Sequence, residues 1–169
     1  MTNRQAEPVM RRKSLGAAMA LIGVMAVSGC SSEVPETRSG VLTNAEYVSS
    51  YQKIAREFTQ EPPEGISLPE TPPALDGDNI GEGNAAAGAY FFWSCAWQDV
   101  YLSSADPEAR ATALAELREF PRSDWALRYW DDPDDVWGAM LDAAELGDLT
   151  DLRAFYEADC GHYRSEVGR

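Results

Sequence analysis

Apolar and polar positions along this chain recur mostly with a helical period. From Asn44 to Gln60, the residues Tyr47, Tyr51, Ile54 and Phe58 fall in one narrow stripe at about 100° per residue. Val48 and Ala55 flank that stripe, and Gln52, Lys53 and Glu57 occupy the opposite side. Thr43 and Glu46 stand at capping-box spacing, so the pattern predicts a helix over 44–60 with one buried face. The stretch Asn84 to Ser104 is apolar on both sides, with Asp99 as its only charged residue. A helix of that kind belongs at the centre of its domain.

Two further helices share a start signal. Asp106-Pro107-Glu108 and Asp132-Pro133-Asp134 each place an N-cap Asp, a Pro at the first helical position and an acid in the first turn. The first is predicted to reach Phe120 and bury Ala113, Leu114, Leu117 and Phe120. The second is predicted to reach Leu146, bury Val136, Trp137, Met140, Leu141 and Ala144, and stop at Gly147. Between them Pro121 breaks the chain, and Ser123 or Asp124 caps a short helix carrying Trp125, Tyr129 and Trp130. A last helix over 150–160 turns Leu149, Leu152, Tyr156 and Cys160 inward. The segment 61–83 carries Pro62, Pro63, Pro69, Pro72 and Pro73, which exclude helix. It reads as an extended strap with Ile66, Leu68, Leu75 and Ile80 as pegs. No segment shows convincing period-two alternation. The expected class is all-α: a compact bundle of about five helices, one short, around the aromatic-rich 84–104 helix.

The N-terminus follows different rules. Arg11, Arg12 and Lys13 precede a 13-residue apolar run, Leu15 to Val27, far short of the ~20 residues that cross a bilayer. The run ends in Val27-Ser28-Gly29-Cys30, which resembles the lipobox of bacterial lipoproteins. The resemblance covers this segment alone. It implies that 1–29 is a signal peptide, that Cys30 receives a diacylglycerol and becomes the first mature residue, and that the protein is exported. An ordinary secretory signal with a chance Cys is the alternative. Arg11-Arg12 faintly resembles a twin-arginine signal, and the export route stays open. Residues 30–43 then read as the lipidated Cys and a flexible linker whose span is on the order of 20 Å. Two acyl chains hold where one does not. The membrane partner is expected through that anchor, on the outer face of the cell membrane, or at the outer membrane in an organism with two.

Charge and cysteine content sharpen this picture. The chain holds 14 basic and 28 acidic residues; removing 1–29 leaves 10 and 27, a net charge of −17. Such a body is repelled by polyanions, which argues against a nucleic-acid partner. An acidic surface also keeps exported proteins dispersed. With Cys30 acylated, Cys95 and Cys160 remain as an even pair, and an oxidising compartment favours a bond between them. It would close a loop of roughly 65 residues and contribute about 4 kcal/mol in the chain-entropy model. Two separately buried thiols are the alternative.

Candidate chemistry is thin, and no cofactor motif is present. Asp76 and Asp78, with Gly81, open like an EF-hand calcium loop, but Ile80 and Ala87 stand where oxygen ligands are needed. An Asp/Gly turn explains the segment as well. Asp131, Asp132, Asp134 and Asp135 suit helix capping better than a metal. Asp99 is the best single candidate for catalysis: a carboxyl beside indoles suits a general acid, and Trp93 and Trp97, if ligand-facing, would stack on a sugar ring. No second carboxylate can be placed opposite it. The competing view makes the aromatics core and pairs Asp99 with an Arg or with water. His162 reads as a tail or helix-end residue. The expectation is a cell-envelope lipoprotein acting as a membrane-tethered helical binding module, with a protein or glycan partner. A small glycan hydrolase using Asp99 and a purely structural envelope protein are the alternatives.

Overall fold

The computed structural model describes residues 40–77 and 79–169. The expected signal segment 1–29, Cys30, most of the expected linker behind it and Asp78 lie outside the described residues. Helix α1 (Asn44–Glu57) starts at the capping box: the Glu46 carboxylate accepts from the Thr43 backbone N–H at 2.8 Å, and Thr43 Oγ1 accepts from the Glu46 N–H. Just before it, Val41–Leu42 (β1) pairs antiparallel with Ile80–Gly81 (β2). The end of the linker is therefore bound to the end of the strap, a two-residue pairing too short for periodicity to register.

Helix α2 (Asn84–Ser103) is central, packing against α1, α3 (Pro107–Glu119), α6 (Thr150–Asp159) and α7 (Gly161–Glu166). Its two-sided apolarity follows, because every face meets another element. One core joins Trp93 to Leu117, Phe120, Trp137, Leu141 and Leu152. A second lies under α1 around Tyr47, Tyr51 and Ile80. A third gathers Phe92, Cys95, Ala96, Cys160 and Tyr163, where Cys95 and Cys160 are joined with sulfurs 2.07 Å apart.

Aromatic polar groups tie these layers to backbone carbonyls. The Trp137 indole donates to Leu117 at 2.9 Å, the Tyr101 hydroxyl to Ala144 at 2.8 Å, and the Trp125 indole to Gly83 at 3.1 Å. Each satisfies a donor that burial would otherwise orphan, at a net gain of about 1 kcal/mol. Gly83 admits the Tyr129 ring because a Cβ there would lie 3.0 Å from it.

The strap is held by the same device. Its prolines carry no backbone N–H, so its carbonyls find their donors in the helices beside it. Glu61 accepts from both Trp93 and Trp97, at 2.9 and 3.1 Å, and Pro73 accepts from the Tyr47 hydroxyl at 2.9 Å. Ile66, Leu68 and Leu75 are half-buried pegs and Ile80 is fully packed, but Pro63 and Pro72 are buried too.

Three expectations need correction. The described residues contain seven helices: the short helix expected after the Pro121 break is the four-residue α4 (Ala126–Tyr129), preceded by a 3₁₀ turn (Phe120–Arg122), and α7, which was not expected, follows α6. Helix α5 (Val136–Glu145) starts four residues after Asp132, with Asp135 as N-cap in the left-handed region at φ 51°. Asp132 still caps it, but from a distance: its two carboxylate oxygens take the Val136 and Trp137 N–H groups, each at 2.9 Å. A carboxylate that reaches both amides leaves Pro133 no place in the helix. Val136 is consequently 65% exposed rather than core.

Candidate functional site

The residues singled out for catalysis sit in packed structure. Trp93 is fully buried, and its indole N–H is spent on the strap, so it presents nothing to a ligand. Trp97 is half-buried and shares the same acceptor. Asp99 lies one turn beyond Cys95 on α2 and is 7% exposed. Its carboxylate accepts the Tyr156 hydroxyl at 3.2 Å and the Tyr163 hydroxyl at 3.0 Å, and it pairs with the Arg169 guanidinium. Burial, and next the Asp99 charge, push the Tyr156 phenol up to about 12 and raise Tyr163 as well. The arrangement is a clamp: one carboxylate on α2 gathers α6, α7 and the residues after them beside the disulfide. Asp76 is exposed, and among the described residues no three metal-ligating side chains converge.

A different place has the form of a binding site. A groove of about 280 Å³ runs along α2 from Asn84 to Cys95. Tyr47 of α1 and Pro73 and Leu75 of the strap form one wall; Asp159, His162 and Tyr163 form the other. Phe91 and Phe92 line its floor, and Gly88 sets the approach of the strap, since a Cβ there would lie 3.1 Å from Pro73. Tyr47 and Tyr163 contribute rings alone, because their hydroxyls are engaged elsewhere. His162 packs edge-on against Phe92 with centroids 6.1 Å apart, and its Nε2 is buried with no hydrogen-bond partner among the described residues.

No family model, no curated protein and no solved structure matches this chain. The site therefore has to be read from its own chemistry. Periodicity missed it: His162 read as a tail or helix-end residue, and nothing in the pattern singled out Asp159. The signal was the neighbouring Cys160: once bonded to Cys95, it brings both residues to the flank of α2.

Proposed function

We propose that this protein is an exported lipoprotein, tethered through a diacylglycerol on Cys30, whose helical domain is a binding module with the α2 groove as its receptor surface. The observation that carries the reading is the use of the three cysteines. Cys95 and Cys160 are bonded to each other, as fits an oxidising compartment, and the third cysteine stands in Val27-Ser28-Gly29-Cys30 behind a basic, then apolar segment. The net charge of −17 after cleavage supports a body that touches the membrane through its anchor and avoids nucleic acid. A protein or glycan of the envelope is the expected macromolecular partner.

The glycan-hydrolase alternative loses its main support. A general acid needs a carboxyl facing substrate, and both oxygens of Asp99 are held by phenols and a guanidinium. Metabolic labelling with a fatty-acid analogue tests the tether: the wild type is expected to carry label and Cys30→Ala to lose it. Label that persists in Cys30→Ala would refute lipidation at that position.

A further inference from the structure

We infer that the α2 groove takes a small apolar ligand bearing a protonated amine, a ligand class that rests on reading the domain as a binding module. The body of the ligand is set by the walls. Phe91, Phe92, Leu75, Pro73 and the two tyrosine rings offer apolar surface, and a groove of about 280 Å³ suits a molecule of one ring and a short chain.

The head group is set by which polar atoms remain unspent. The hydroxyls of Tyr47 and Tyr163 already donate to Pro73 and Asp99, and the Asn84 amide N–H donates to Gly81. Among the described residues the one charged side chain on the lining is Asp159; the Asn84 amide keeps its oxygen and a second N–H, neutral groups that serve a head group of either sign, and His162 Nε2 is buried. No Lys or Arg among the described residues lines the groove. An ammonium group pairs with the Asp159 carboxylate and lies against aromatic rings that favour a cation. A carboxylate head would meet Asp159 with like charge. The positive end of α2 does not reverse this preference: Phe92 lies eight residues beyond Asn84, on the order of 12 Å along the axis, and the helix-end field fades within about the first turn. The acidic body adds long-range attraction for cations.

His162 is the only histidine in the sequence, so its imidazole gives one assignable magnetic-resonance signal in untagged protein. The full chain, at one fixed pH, is titrated separately with 2-phenylethylamine, 2-phenylethanol and 3-phenylpropionate. The amine is expected to move the His162 signal saturably, with the alcohol at least about tenfold weaker and the acid without effect, as charged hydrogen bonds exceed neutral ones by that order. Asp159→Asn, at an exposed position that the fold does not depend on, should weaken the amine about tenfold and leave the alcohol unchanged. Ala87→Phe, which fills the groove from α2, should abolish the shift. Equal or tighter binding of the acid or alcohol, an amine affinity indifferent to Asp159→Asn, or no saturable shift would each overturn the assignment. Binding of the alcohol or acid alone would keep the binding module and reject the amine. Amine binding by a protein that fails the Cys30 labelling test would keep this site and reject the tether.

Discussion

Replacing Asp99 by Asn tests whether this carboxylate is a clamp or a catalyst. The change keeps the shape of the side chain, removes its charge and turns one acceptor into a donor. The amide oxygen can still serve one phenol, but the other hydroxyl must turn and accept from the amide nitrogen. A hydrogen bond to a charged group contributes about 1.5–3 kcal/mol, against about 1 kcal/mol for a neutral pair. The pair with Arg169 adds less than about 1 kcal/mol, since the arginine is 52% exposed and water screens it. Together these predict a loss of about 2 kcal/mol for Asp99→Asn. Asp99→Ala should cost about 3 kcal/mol, because it leaves the buried Tyr163 hydroxyl without its acceptor. Urea unfolding of the unreduced full chain reads both, with the disulfide intact throughout. At about 1–3 kcal/mol per molar urea, a 2 kcal/mol loss lowers the midpoint by about 1 M. A second readout is independent of unfolding: Tyr156, held at about 12 partly by the Asp99 charge, should ionise at lower pH in Asp99→Asn. A variant as stable as the wild type or more so, with an unmoved phenol titration, would refute the clamp. That behaviour belongs to a carboxylate kept for function at a cost to stability, and it would revive the hydrolase reading.

Alkaline pH should destabilise the fold through its buried phenols. Tyr51 and Tyr156 are raised from 10.0 to about 12 by burial first, and Tyr163 is raised in the same direction. Raised folded-state values mean that the fold favours the protonated phenols. Their contribution is complete below the unfolded value near 10 and is lost as pH climbs through the folded values. Stability measured by urea midpoint is therefore expected to fall between pH 10 and 12, and a flat profile there would count against the burial of these hydroxyls. At the start of α5, Asp132→Ala removes the acceptor of two backbone N–H groups and should cost about 1–2 kcal/mol. Pro133→Ala, outside the helix, should cost little by thermal unfolding; the reverse order would show that α5 starts where Pro133 sits.

The buried faces of the long helices were legible because burial there depends on local periodicity. Ala113, Leu114 and Leu117 are packed as their spacing in α3 required, and Asp106 caps that helix by accepting the Glu108 N–H at 3.0 Å. The same Asp-Pro pattern misled at Asp132, because a side chain able to span a turn lets the helix start later than its sequence signal. The strap was legible as non-helical, but its attachments were not. Glu61 and Pro73 act through backbone carbonyls, and any residue type carries a carbonyl.

The candidate groove was the least legible part. Its lining comes from α1, the strap, α2 and the C-terminal helices, and no local pattern records which rings will face one another. The role of Asp99 was undecided for the same reason: an isolated carboxyl among aromatics serves equally as acid or as anchor until its neighbours are known. Local order was enough to establish helices, their caps, the acidic character of the domain and the pairing open to two cysteines, since each follows from residues close in the chain or from composition. Only packing decided that Asp99 is shared by Tyr156, Tyr163 and Arg169, that Trp93 is core, and that His162 lies beside Phe92 with an unused nitrogen. Those facts depend on contacts between residues as many as 70 positions apart, where geometry and not spacing selects the partner.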